Sequence, residues 1–125
     1  MAEPDPKPRP RVQDPTAGYT KIRAEQRCRL CGMGFARGLG LTRHHVVPKG
    51  QGGDDVADNL VPLCGHGTIG CHGAVEHDIR ARVRLRAKLR PQEIAYATRR
   101  YRELGKPGGF NTRYPKEVPA HLRRG

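Results

Sequence analysis

Between Arg43 and His77 the chain reads RHHVVPKGQGGDDVADNLVPLCGHGTIGCHGAVEH, and no other stretch restricts the possible folds as much. It holds five of the six histidines, two of the four cysteines, and a glycine-rich loop that ends in Asp58-Asn59 before a short apolar run. Nitrogen and sulfur donors at this density signal a metal site before they signal packing. A chain of this size also needs such an ion. Its 125 residues are 35% hydrophobic with a mean hydropathy of −0.76, which leaves only a small core to stabilise one domain with extensions. A structural metal offsets that deficit.

The first residues, MAEPDPKPRP, lack the apolar centre of a secretory signal, and no run is long enough to span a bilayer. The expected location is the cytoplasm, with no membrane partner, and there a Cys-x-x-Cys pair favours zinc over a disulfide. Cys28-Arg29-Leu30-Cys31-Gly32 has the form of a zinc knuckle, its glycine permitting the tight turn. Cys64 and Cys71 are the expected second half of a tetrahedral site. Their six-residue separation exceeds the usual two to four, but the three glycines in it allow a compact excursion. His66 within that insert could replace one sulfur; a solvent-facing loop residue is the preferred reading.

Residues 1–16, with Pro at 4, 6, 8, 10 and 15, read as a disordered leader that cannot repay the entropy of ordering. Tyr19 to Gln26 suggests a short helix that delivers the chain to Cys28. Leu39 to Val47 can form a strand, Pro48 to Gly53 an open loop, and Leu60 to Leu63 a second strand ending at Cys64. Past Cys71 the sequence can begin a helix. The order strand, loop, strand, helix over residues 17–78 makes an α+β unit too small to fold without its staple.

The ordered set Cys28-x2-Cys31, His44-His45, Gly52-Gly53, Asn59-Leu60, Cys64 and Cys71-His72 resembles the HNH endonucleases, whose fold is the ββα-metal type. The wording LCGHGTIGCHG is similar to HNH proteins encoded by bacteriophages, and the resemblance covers about residues 20–78. It implies a zinc-stapled HNH core that hydrolyses phosphodiester bonds of DNA, nicking or cutting both strands. By resemblance His45 is the general base, His44 takes a ligand position often occupied by aspartate, and His72 is the second ligand of the divalent ion. Asn59 stands at the family's central position, where its amide fixes the loop and orients the base. Many relatives carry another histidine four residues after the one equivalent to His72; here that residue is Glu76, and His77 comes five later. Both are weaker candidate ligands, and for His77 a separation of five residues turns a helical side chain away from its partner's face.

Elementary chemistry agrees with these roles. Phosphodiester hydrolysis needs an activated water, a counter-charge on the phosphate and help for the departing 3′ oxygen. Neighbouring strand residues point to opposite faces, so His44 and His45 suit separate tasks better than one shared ion. Unperturbed imidazole, with a pKa of about 6.5, suits proton abstraction at neutral pH. The cofactors implied are structural Zn²⁺ in four thiolates and one exchangeable divalent cation, for which imidazole ligands suit Mn²⁺, Ni²⁺ or Zn²⁺ better than Mg²⁺.

Formal charge is uneven: +2 over residues 1–27, −1 over 28–78 and +11 over 79–125, which together make the chain's +12. A basic arm after a near-neutral module points to a polyanion, and Arg43, Lys49, Arg80, Arg82, Arg84 and Arg86 are the expected nucleic-acid contacts. Residues 79–106 read as a basic helical extension. Within it IRARVRLRAKLR alternates like a strand but consists of helix formers, and a continuation of the preceding helix is the expectation. Pro91 opens a second helix with a stripe of Ile94, Ala97, Tyr101 and Leu104, ended by Gly105 and Pro107. Residues 107–125 read as an irregular, mobile basic tail in which His121 is incidental. The leading function is a metal-dependent DNA endonuclease, with terminase or other phage packaging proteins as partners by resemblance. The alternatives are a non-catalytic, zinc-stabilised nucleic-acid-binding module, which has no need of His44, His45 and His72 together, and a homing or restriction nuclease, for whose base-reading domain no room is apparent.

Overall fold

In the computed structural model, which describes residues 7–34 and 40–123, the ligand-rich stretch forms an antiparallel pair of strands followed by helices. Strand β1 (Leu41–His45) pairs with β2 (Leu60–Cys64) in a register that sets His44 opposite Val61 and His45 opposite Leu60. Of the expected first strand, Leu39 lies outside the described residues. All five residues of β2 are buried, which explains why LVPLC runs apolar rather than alternating. Its ladder partner covers one edge. On the other, the Pro62 carbonyl accepts the Arg29 N–H at 2.8 Å, so the cysteine knuckle closes the sheet.

The connection between the strands is held at its middle. Asn59, wholly buried, accepts the Val47 N–H at 2.8 Å and donates to the carbonyls of Val47 at 3.1 Å and Asp54 at 2.9 Å. This draws the loop so close that a Cβ on Gly53 would lie 1.7 Å from the Val47 oxygen. Only glycine fits there.

Helix α1 (Ala17–Glu25) lies against both strands, and α2 (Gly70–His77) packs on β2. The expected single helix through residues 79–90 is divided. Asp78 has extended backbone angles and accepts the Arg80 N–H at 2.9 Å, ending α2 and capping a separate α3 (Ile79–Arg86). A short carboxylate that bonds its own backbone favours a cap over a helix interior. The alternating run is helical, as expected, with Ala81 and Leu85 buried.

Helix α4 (Pro91–Glu103) buries Ala97 and Tyr101 of the expected stripe and Tyr96 beside them. Glu93 accepts the Arg90 N–H at 2.7 Å at the helix start. It is also completely buried, where it meets Arg29 of the knuckle at 2.6 Å and Lys21 of α1 at 3.1 Å. Glu93 thus ties three elements together.

Both chain ends differ from the sequence expectation within the described residues. Residues 7–16 form no regular element before α1, yet they are anchored. Arg9 forms two hydrogen bonds with the Asp54 carboxylate, at 2.8 and 3.0 Å, the Val12 N–H donates to Asp54 at 2.6 Å, and the Asp14 N–H donates to Asp55 at 2.9 Å. Charge pairing with two loop aspartates, rather than apolar burial, holds this segment. Residues 1–6 lie outside the described set. At the other end the expected mobile tail forms α5 (Gly109–Arg113) and sends Phe110 and Tyr114 into the core, 3% and 0% exposed. Their rings stack at 5.6 Å. Arg86 lies 4.8 Å over Phe110 and donates to the Tyr114 carbonyl at 2.7 Å, so α3 fastens the segment beyond Gly108. No described helix is long and apolar enough to cross a membrane.

If residues 109–114 belong to the core, Phe110→Ala should lower the unfolding free energy by about 3 kcal/mol. Denaturant titration checks this; a change within about 0.5 kcal/mol, typical of a surface site, would return the segment to a loose tail.

Candidate metal centres and catalytic cleft

Two groups of metal-ligating side chains converge among the described residues, one of sulfur and one of nitrogen and oxygen. The sulfur group is Cys28, Cys31, Cys64 and Cys71, all free thiols, with ligand atoms within 4.8 Å of one another. Cys28 and Cys31 sit on a hairpin turn closed by the Arg27–Gly34 bridge. Cys64 ends β2, and Cys71 lies in the first turn of α2. The long spacing between these two is resolved by a tight excursion in which His66 and Ile69 exchange both backbone hydrogen bonds at 3.1 Å.

This donor set fits zinc. The Cys31 and Cys64 sulfurs are 3.8 Å apart, and a tetrahedron with Zn–S distances of about 2.3 Å has edges of about 3.8 Å. Backbone N–H groups of Cys31, Met33 and Cys71 approach the sulfurs of Cys28, Cys31 and Cys64 at 3.4 to 3.5 Å, as they would around thiolates. Burial and then the neighbouring sulfurs push the Cys71 thiol above its ordinary value. A dication among the four removes that repulsion.

The second group is His44 of β1 with His72 and Glu76 of α2. Helical spacing puts His72 and Glu76 on one face, their Nε2 and Oε1 atoms 3.5 Å apart, while the His44 Nδ1 lies 3.1 Å from the same Oε1. Burial lowers the His44 pKa against the opposing pull of Glu76. Burial, and then the charge of His44, lowers that of His72 to about 4. The hydrogen bond with His44, against the cost of burial, brings Glu76 to about 2, with Arg113 assisting at 3.7 Å. At neutral pH the cluster therefore offers two neutral imidazoles and a carboxylate, a donor set suited to a divalent first-row ion. Glu76 joins the cluster. His77 does not: it is exposed, with Nε2 2.9 Å from the Gly67 carbonyl.

His45 leaves β1 on the side opposite His44. It lines a cavity of about 380 Å³ at the strand edge, whose wall also includes Thr42, Arg43, His66 and His72. Arg43 extends across α1, 5.4 Å from the Tyr19 ring, in the space left by Gly18, where a Cβ would fall 2.1 Å from the Arg43 Cδ. The His45 Nε2 lies 2.7 Å from the Asp55 Oδ1. Burial raises the Asp55 pKa, but the hydrogen bonds from His45 and the Asp14 N–H, with the charge of Arg11, hold it below the ordinary carboxylate range.

The expected nucleic-acid contacts divide. Lys49, Arg80 and Arg84 reach the surface. Arg82 and Arg86 turn inward, Arg82 to the Arg113 and Val75 carbonyls at 3.0 Å and Arg86 to Asn111 and Tyr114 at 2.7 Å. A helix packed on a core cannot present every arginine to solvent. Asp55, Thr42 and Tyr114 are absent from the site expected on sequence grounds. Asp55 comes two residues after the Gly-Gly pair and Thr42 precedes His44 by the strand period of two, so both carried a local signal; Tyr114 carried none.

The 125-residue chain purified under reducing conditions should hold one tightly bound zinc, and Cys31→Ser should lose both the zinc and cooperative unfolding. Metal analysis with a thermal melt decides; a variant that keeps the wild-type Tm without zinc would remove the ion's structural role.

Among known families, the model described as HNH endonuclease matches residues 28–77. No curated protein matches the chain, and no solved structure does. The match begins at the first cysteine of the knuckle and ends with the last residue of α2, enclosing both ligand clusters and the loop between the strands, so this part of the chain is similar to the HNH endonuclease family.

Proposed function

We propose that the protein is a metal-dependent DNA endonuclease in which His45 is the general base and His44, His72 and Glu76 hold a divalent ion. The observation that carries this reading is the convergence of those three ligand atoms beside a cleft that His45 and His72 both line. A nucleic-acid-binding module would have no use for it.

His45 contributes through its orientation. A carboxylate can only accept, so the Nε2 of His45 carries the proton shared with Asp55, which leaves Nδ1 with a free lone pair to take a proton from an attacking water. Asp55 is itself steadied by Arg11 and the Asp14 N–H. Asn59 fixes the adjoining Asp54 carbonyl. The loop thus acts as a rigid mount for the base. Arg43, on the cleft wall, is placed to face a phosphate. A divalent ion in the cluster supplies positive charge to the phosphate and to the departing 3′ oxygen. Two imidazoles and one carboxylate favour Mn²⁺, Ni²⁺ or Zn²⁺ over Mg²⁺. The exposed cations of residues 79–125, Arg80 and Arg84 among them, supply affinity without sequence discrimination. A place in phage DNA processing or packaging beside a terminase rests on the sequence resemblance alone.

Supercoiled plasmid incubated with the intact protein and Mn²⁺ or Ni²⁺ should be nicked or linearised, with chelator abolishing the reaction and His45→Ala reducing it at least about 100-fold. Cleavage retained by that variant excludes the proposed base, and no cleavage in any arm leaves the binding module. Separately, Asp55→Asn should lower kcat by about tenfold or more with metal affinity unchanged; equal rates would show that the 2.7 Å contact does not orient His45.

A further inference from the structure

The metal cluster is bounded on its outer side by two hydroxyls, one on β1 and one from beyond the end of α5. The His44 Nε2 lies 2.7 Å from the Tyr114 hydroxyl, and both side chains are completely buried. The His72 Nδ1 lies 2.6 Å from the Thr42 hydroxyl. A hydroxyl has one proton to give and lone pairs to receive with. Each of these hydroxyls has a backbone carbonyl within reach: Tyr114 donates to Val46 at 3.0 Å, and Thr42 to Gly65 at 2.7 Å. Val46 is itself wholly buried, and leaving its carbonyl without a donor would cost about 1–3 kcal/mol.

With the hydroxyl protons so placed and a cation at the cluster in place of the proton that His44 Nδ1 otherwise shares with Glu76 at 3.1 Å, each imidazole donates to its hydroxyl. His44 then carries its proton on Nε2 and His72 on Nδ1. The nitrogens left bare are His44 Nδ1 and His72 Nε2, the two that face Glu76 Oε1 at 3.1 and 3.5 Å. We propose that Tyr114 and Thr42 are positioning residues that lock the two histidines in opposite tautomers, so that both lone pairs and the Glu76 carboxylate point at one cation. The segment after Gly108 is on this view part of the metal centre. The inference rests on the ligand assignment above, with the roles of Tyr114 and Thr42 added to it.

Tautomers are read directly by nitrogen-detected NMR of the ¹⁵N-histidine-labelled protein with Zn²⁺ filling both the thiolate site and the histidine cluster. His44 should show protonated Nε2 and proton-free Nδ1, and His72 the reverse; the same tautomer for both overturns the proposal without a variant being needed. Calorimetric titration with Ni²⁺ of protein carrying Zn²⁺ in the thiolate site only then tests the consequence. Tyr114→Phe and Thr42→Val should each weaken Ni²⁺ binding about 10- to 100-fold, while Thr42→Ser, which restores the hydroxyl, should recover most of the loss. Folded Tyr114→Phe and Thr42→Val proteins that bind Ni²⁺ within about twofold of wild type, while His44→Ala does not bind, sink the positioning role and leave the ligand assignment standing. Wild-type affinity in His44→Ala would instead sink the ligand assignment itself.

Discussion

Successive side chains on an extended strand leave on opposite sides, and in β1 that alternation separates two histidines that are adjacent in sequence. His44 enters the interior, where α2 and Tyr114 enclose it; His45 enters the cleft, where Asp55 meets it. A slip of one residue in the pairing with β2 would exchange the two environments. Register is therefore the quantity on which the rest depends. It is held by the buried apolar face of β2, by the Asn59 amide and by the closeness that Gly53 permits.

The sulfur cluster and the Glu93 network solve the problem of a small core together. Four cysteines gather the knuckle, the end of β2 and the start of α2 at one point. Glu93 then joins the knuckle to α1 and α4 through Arg29 and Lys21. A buried carboxylate with two cations contributes little net stability, since the cost of burying the charges offsets most of their attraction. Such a contact acts chiefly as a constraint on where α4 can lie, and α4 in turn positions Tyr96 against Asp54 at 2.6 Å. The carboxylate next to Asp55 is thereby tied to α4.

The two chain ends illustrate why composition misjudges segments whose contacts are few and specific. Residues 7–16 have almost no apolar surface to bury, yet Arg9 and Arg11 find Asp54 and Asp55. The stretch after Gly108 contains only Phe110 and Tyr114 as large aromatic residues before Pro115, and both reach the core. Arginines of α3 that read as a nucleic-acid surface instead hold the carbonyls of this segment. Charge density alone does not distinguish an arginine that binds a phosphate from one that caps a backbone.

Local order determined much of the molecule. The knuckle, the strand pair, the helix near Cys71, the Pro91 helix and the two kinds of ligand are legible because hydrophobic period, turn chemistry and donor spacing act within a few residues. Tertiary structure decided the partners. Nothing near His44 announces that a tyrosine seventy residues later will meet its ring, and nothing near His45 says that the second of two loop aspartates will do the same. Short-range sequence sets the direction in which a side chain leaves the backbone; the group it meets there depends on how distant segments pack, and that is a property of the whole chain.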